Sequence, residues 1–436
     1  MRGERPLPRG WVWTSLGELI QNTINQHGPA DQGHFTYVDI GAIDTEMKRI
    51  ACSKVLPVGE APSRARQRLE PGDVLVSMTR PNLNAVALVP DSLRGSIGST
   101  GFRVLRSGGV EPGWLYYLVQ TNAFVHAMSM VVQGALYPAV RPKDIDSYTV
   151  PVAPLAEQRR IVAEIESQFT RLDAAVTTLR RAKANLKRYR ASSLKAAFEG
   201  RLTGSAPSDW KLTALGELGT LDRGRSRHRP RDDARLYGGP YPFIQTSEVK
   251  RSRDRISAFE NTYSEFGLAQ SRLWPPGTLC ITIVANIAET GVLAFPACFP
   301  DSVVGFIPDT GRVTAEYVQL FFRTIQADIA ASAPATAQKN INLKVLRRLV
   351  IPVPPLDPQR CIVAHVESRL SVADAIERTI NASLKRAERL RQAILKRAFD
   401  GRLVPQAPTD EPAPVLLERL RQNKPPTAGN RRRARG

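Results

Sequence analysis

The sequence predicts a tandem α/β (α+β) fold. Two mixed domains are each followed by a long helical arm, the two arms pair as antiparallel coiled-coil helices, and the copies are related by a pseudo-twofold axis. Three observations carry this. Residues 150–202 align without a gap on 351–403, 201 positions later, with 23 of 53 positions identical. The match resumes upstream, where "WVWTSLGEL" (11–19) faces "WKLTALGEL" (210–218) and "PGDVLVSMTR" (71–80) faces "PGTLCITIVA" (276–285). Inside the 53-residue block, apolar residues recur at three- and four-residue steps, the period of a helix with one buried stripe.

Residues 1–150 are the first domain. "FTYVDI", "DVLVSM" and "AVALVP" lie between Gly, Pro and Asn turns and predict strands, and "GWLYYLVQTNAFVHAM" predicts helix. Residues 151–203 are the first arm. Ile161, Ile165, Phe169, Leu172, Val176, Leu179, Leu186 and Leu194 mark its stripe, with Ala182 and Tyr189 filling the gaps. Proline is absent from 159–202, and Gly200 is a good stop. The second domain, 204–352, repeats the pattern with "TLCITIV", "GVLAF" and "AEYVQLFFRTIQADIA". The second arm, 353–405, carries Ile362, Val366, Leu370, Ile380, Leu384, Leu390 and Ile394 and runs into Gly401. A helix of about 42 residues is ~63 Å long, and its apolar stripe needs a partner. The nearest partner is the other arm. The first arm leads away from domain one and the second starts at domain two, so pairing predicts an antiparallel rod with a domain at each end. A parallel homodimeric coiled coil is the alternative. The Pro/Ala-rich tail, 406–436, ends "RRRARG" and predicts disorder apart from a short helix at "VLLERL".

The arms agree well while the domains share only short scaffold phrases. That pattern is expected if both copies hold the same partner but read different things. A net charge of +20 points to a polyanionic partner, most simply nucleic acid. No stretch reaches the ~18 apolar residues of a membrane span, and "MRGERPLPRGWVW" lacks the apolar core of a secretory signal. Cys52, Cys280, Cys298 and Cys361 stand alone, without CxxC pairs or clustered histidines. The expectation is a reducing, cytoplasmic protein without a metal site.

Enzyme signatures are largely missing. The chain contains no Gly-Lys pair, so it has no P-loop, and "WPPG" (274–277) is the wrong order and type for an adenine methyltransferase motif. The sharpest rival is a metal-dependent nuclease. Glu46-Met47-Lys48 and Glu248-Val249-Lys250 resemble the end of such a motif, with Asp39 as an upstream acid in the first copy and Gln245 near the matching place in the second. Solvated strand-end charges account for both. A coiled-coil scaffold without DNA sequence preference is a third class.

The whole order resembles the specificity subunit of type I restriction–modification systems, over about 1–405. Its marks are two target-recognition domains opening with "W-x-x-x-x-LGEL", each ending in a phrase like "VPVAPLAEQRRIV" or "IPVPPLDPQRCIV", and two spacer arms ending in "AFxGRL". Two departures are Pro358 opposite Glu157 and Cys361 opposite Arg160; neither breaks the helix, since proline is tolerated in a first turn. The resemblance implies a non-catalytic subunit that binds a split site in double-stranded DNA, one half per domain. It implies docking of two methyltransferase (modification) subunits, and optionally two restriction (motor-nuclease) subunits. Cofactors would then belong to partners: S-adenosylmethionine to the methyltransferase, ATP and Mg to the restriction subunit. Arm length is expected to set the gap between half-sites.

Basic loops are the candidates for DNA contact. They are Arg64 and Arg66 with Arg68, then Arg80, Asn82 and Asn84 after a central strand, in domain one. Domain two offers Arg223, Arg225 and Arg227, then Lys250, Arg251 and Arg253, and Lys339 with Asn340 before the arm. Arg pairs bidentately with guanine and Asn with adenine, although most Arg and Lys contacts go to phosphate. Asn82 and Asn84 are also natural turn formers beside Pro81. On the arms, Arg180, Arg188 and Arg389 are either a solvated face or a phosphate rail. The shared helix starts, Gln158, Arg159, Ile161 and Val162 with Gln359, Arg360, Ile362 and Val363, are candidates for docking the methyltransferase subunits. A packing role against the domains would give the same similarity.

Overall fold

The computed structural model describes residues 6–21, 26, 28–30, 32–132, 138–202, 209–252, 254–284, 287–332 and 341–423. The chain divides into two compact units, Met1–Thr178 with Ser383–Gly436, and Leu179–Ala382. Each holds one mixed domain and parts of both arms.

Both units are built on one scaffold. In the first, strand Val12–Ser15 pairs antiparallel with Thr149–Val152, so the domain's entry and exit are zipped together. In the second, Lys211–Ala214 pairs the same way with Val350–Val353. The predicted strand at "DVLVSM" is Val74–Ser77, the centre of a three-stranded sheet between Phe102–Leu105 and Val86–Leu88. A second sheet of four strands carries Lys54–Pro57, His34–Val38, Ile97–Ser99 and Ala65–Arg68 in that order. In the second unit Leu279–Thr282 lies centrally in a five-stranded sheet, between Val303–Pro308 and Thr290–Leu293. The run predicted as one helix in domain one is two, Pro112–Leu118 and Asn122–Met130. Thr121 breaks it, because its hydroxyl accepts from Phe124 N and caps the second piece.

The arms are helices Leu155–Phe198 and Leu356–Phe399, 44 residues each. Within each unit they run antiparallel. In the first, Arg391 pairs with Asp173 and lies over the Phe169 ring, 4.2 Å from its centroid. In the second, Arg190 pairs with Asp374 and, at 2.6 Å, with Glu377, and Lys183 donates to Asn381 at 2.9 Å. The two Arg–Asp pairs are the same pair twice, since Asp173 and Arg190 recur 201 positions on as Asp374 and Arg391. Two members of the expected stripe face outward instead: Tyr189 and Leu390 are 43% and 49% exposed. Ala373, Ala387 and Ala398 are buried, and Ala398 packs into the first domain's core.

The tail, expected to be disordered apart from a short helix at "VLLERL", instead packs on the first domain over residues 406–423, and the helix is longer than expected. Ala413–Gln422 is a helix whose Leu416, Leu417 and Leu420 bury in the first domain's core beside Trp11, Leu16 and Val110. Ala413 N donates to Gly10 O at 2.8 Å, Asp410 receives both Arg160 nitrogens at 3.2 and 2.6 Å, and Arg421 reaches Glu18 at 2.7 Å. The Pro/Ala composition hid a four-residue apolar step long enough to form one buried face. Residues 424–436 lie outside the described residues. No described helix is long and apolar enough to cross a membrane.

Candidate nucleic-acid interface

In the first domain the central strand ends in a loop that is held from several sides. Val140 N donates to Met78 O at 2.9 Å and Arg80 N to Pro138 O at 2.8 Å. Pro81–Leu83 is a single 3₁₀ turn, bracketed by Arg80 and Asn84, both left-handed with φ of 48° and 46°. Such a conformation is uncommon outside glycine and persists only where neighbours over-determine it. Here the neighbours are visible. Asn84 Nδ2 donates to Val119 O at 3.0 Å, and Lys48 Nζ donates to Asn84 O at 2.5 Å. Arg80 and Asn82 are exposed, and the Arg80 side chain has no partner among the described residues. Asn84 differs from both: its Nδ2 is held by Val119 O and its Oδ1 is buried, so the side chain faces into the domain.

Lys48 is itself left-handed, with φ 53°. Burial, then the nearby Arg391 charge, pull its pKa from 10.5 down to about 8, against the opposing pull of Asp44. Arg64 precedes and Arg66 lies within the edge strand Ala65–Arg68, and both are exposed, while Ala65 and Gln67 alternate inward. Arg66 Nε is partly engaged by Ser63 O at 3.1 Å.

The second domain displays its basic run from a pinned backbone. Gly224 N donates to Val303 O, Arg225 N to Phe299 O and Arg227 N to the Gln270 side chain, at 2.9, 3.1 and 2.5 Å. Gly224 is needed there because a Cβ would fall 2.3 Å from Phe299 O. Arg225 and Arg227 project outward, and Arg223 is half-buried at the end of its strand. The later arginines of the run are committed, Arg229 to Ser226 O at 2.7 Å and Arg231 to Asp301 at 3.1 Å. Lys250 and Arg251 are exposed on helix Thr246–Ser252, and Arg251 pairs with Glu260 at 2.5 Å. Arg253, Lys339 and Asn340 lie outside the described residues.

Comparison with known proteins agrees with this arrangement of scaffold and loops. The family model for the type I restriction modification DNA specificity domain matches residues 207–386. The Escherichia coli type I restriction enzyme EcoBI specificity subunit is 26% identical over 319 residues, 65% of this chain and 66% of that one. The EcoKI specificity subunit of Escherichia coli strain K12 is 24% identical over 404 residues, 84% of each chain. A solved chain from a type I restriction–modification system superposes with a TM-score of 0.79 at 28% identity, covering 92% of this chain and 100% of that one. Residues 207–386 carry a type I restriction modification DNA specificity domain, and over most of its length the chain is similar to type I specificity subunits.

On the arms the cations divide by role. Arg180, Arg188 and Arg389 are exposed. Arg190 and Arg391 are the inter-arm ion pairs, so they are not part of an open basic face. The helix starts chosen for docking are mostly interior. Gln158 and Gln359 are fully buried and do one job in both units. Gln158 accepts from Glu111 N at 3.0 Å and donates to Ala153 O at 2.8 Å; Gln359 accepts from Thr314 N and donates to Pro354 O at the same distances. Ile161, Val162 and Ile362 are core, leaving Arg159, Arg360 and the half-buried Val363 at the surface. Packing accounts for the shared glutamines and isoleucines.

Two of the residues named for a nuclease have structural partners. Asp39 caps a 3₁₀ turn through Ala42 N and pairs with Lys54 at 2.7 Å. Glu248 folds back on its own helix start, accepting from Gln245 N at 3.0 Å. The inter-arm pairs were not legible in the sequence, and of the C-terminal helix only its centre at "VLLERL" was. The repeat of Asp173 and Arg190 at one offset was the available signal for the first.

Proposed function

We propose that each domain reads one half of a bipartite DNA site, and that the subunit directs the chemistry of partner subunits without performing any. The observation that carries this reading is a rigid scaffold, matched between the copies, that presents different polar loops. Arg80 and Asn82 in one copy, and Arg225 and Arg227 in the other, sit on backbones fixed by hydrogen bonds, which suits selection between base edges. Exposed arm cations such as Arg180, Arg188 and Arg389 suit phosphate contacts between the half-sites.

Partner docking by two methyltransferase subunits is part of this reading, with restriction subunits as optional additions. S-adenosylmethionine would be held by the methyltransferase, and ATP and Mg by any restriction subunit. With the shared glutamines buried, the surface offered for docking in the first unit is an open apolar groove. It measures about 830 Å³ and is lined by Trp13, Leu118, Tyr148, Pro151, Ala393 and Phe399. In the second unit the matching strand pair exposes Leu212 by 70% and Val350 by 50%. Burial of such apolar surface is the main drive for stable association.

Methylation mapping of host DNA with and without the gene tests the reading. A two-part methylated sequence should appear only with the gene and a methyltransferase subunit. Methylation that ignores this chain, or a single unbroken site, would contradict it.

A further inference from the structure

The second domain holds a cleft of about 300 Å³ that none of the roles above uses. Its walls are helix Thr246–Ser252, strand Arg255–Ile256 and the chain that follows to Glu260. Glu248 stands in this wall, only 6% exposed. One of its carboxylate oxygens is committed: Oε2 accepts from Gln245 N and from Ser247 Oγ, both at 3.0 Å. The other, Oε1, is buried without a hydrogen-bond partner among the described residues. A buried carboxylate oxygen left unpaired is costly, and in native proteins such an atom calls for a ligand, a water or a function. The rest of the cleft has the chemistry of a nucleic-acid contact. Arg251 is steadied by Glu260 at 2.5 Å, Arg255 is exposed, and Phe259 is 46% exposed with its ring edge-on to Phe295 at 5.3 Å.

We infer that Glu248 is a specificity-determining residue, whose Oε1 accepts a hydrogen bond from the exocyclic amino group of a DNA base, cytosine N4 or adenine N6, seated in this cleft. The inference rests on the proposed reading of DNA by the second domain. An ionised carboxylate only accepts, so it selects amine-bearing bases and repels the O4 of thymine and the O6 of guanine. The two bonds to Oε2 fix the carboxylate plane in advance, so little ordering is left for binding. Arg251 and Arg255 can neutralise adjoining phosphates, which offsets bringing DNA up to a carboxylate. In the first domain Glu46 is exposed on a hairpin turn, so this reader belongs to one half-site only.

The test uses the complex assembled with its methyltransferase subunit. Glu248→Gln keeps an oxygen for Gln245 and Ser247 and places an amide NH₂ at the Oε1 position, turning an acceptor into a donor. Methylation mapping should show one position of the second half-site losing its cytosine or adenine preference. Methylation of the original site should fall on the order of tenfold, with the first half-site unchanged. In parallel, the wild-type complex is titrated with duplexes of the mapped site. Each cytosine or adenine of the second half-site is replaced in turn by 2-pyrimidinone or purine, which lack the amino group. One replacement should weaken wild-type binding about tenfold and leave Glu248→Gln binding unaltered. An unchanged site for Glu248→Gln, or equal losses in both proteins at every replacement, would overturn the inference; Oε1 would then meet only water. If the variant fails to assemble, the wild-type series decides, and a half-site without a sensitive amine overturns the inference. A wild-type complex with no bipartite site would instead sink the proposed function.

Discussion

Asn84 turns into its domain and Arg80 turns out, although the two stand four residues apart in "TRPNLN" and read alike in the sequence. The loop itself was legible from Pro81 and two asparagines after a strand. The orientation was not, because Val119 and Lys48, each more than 30 positions away, decide it. Asn84→Ala should cost about 1–2 kcal/mol of stability, from a lost internal hydrogen bond and a strained φ, and leave sequence preference intact. Arg80→Ala should leave the melting temperature alone and cost ~1–3 kcal/mol on one half-site; thermal melts and duplex titrations together separate the two. Equal losses on all DNA would make Arg80 a phosphate contact. Lys48 gives a pH signature. Its folded pKa, about 8, lies below its ordinary 10.5, so between those values the unfolded chain binds more protons. This residue therefore makes the fold gain stability as pH rises from about 8 to 10.5. A lysine resonance titrating near 8 in NMR, moving upward in Arg391→Gln, is the expected observation. A value that stays put without Arg391 would show that burial acts alone.

At the scale of the element, the arms were legible as helices because their stripes and missing prolines are unambiguous. Their register was not, because Asp173, Asp374, Arg190 and Arg391 look like any solvated helix charges until the helices are paired. Asp173→Arg should lower the stability of the first unit, and the exchange Asp173→Arg with Arg391→Asp should recover most of it. These groups are about a third exposed, so the coupling in a double-mutant cycle should be about 0.5–1 kcal/mol. A coupling of zero would assign the arm register to apolar packing. The C-terminal helix was only glimpsed in "VLLERL". Its three buried leucines are each worth ~1.5–3 kcal/mol, and Gly109 makes room for them, since a Cβ there would meet Leu420 at 2.8 Å. Deleting 406–436 should therefore lower the melting of the first unit and spare the second, read by calorimetry with one transition shifted. A deletion with no thermal effect would show the helix to be dispensable.

For the whole molecule, the twofold plan was written in the repeat, because matched scaffolds need matched residues at the domain ends and along the arms. Gln158 and Gln359 show this: each joins an arm start to its domain through the same bonds. What each domain selects was not legible. In the proposed reading, selection depends on a few side-chain atoms, such as the Arg80 guanidinium and Glu248 Oε1, whose exposure and pairing are set by the folded chain and are not visible in the sequence. The central claim is that the two domains read separately. The measurement that tests it most directly is methylome sequencing of cells in which residues 1–150 are replaced by the matching domain of a relative with another site. The replaced half of the methylated sequence should change to the relative's half, with the other half unaltered. Both halves changing together, or neither changing, would contradict two independent readers on one scaffold.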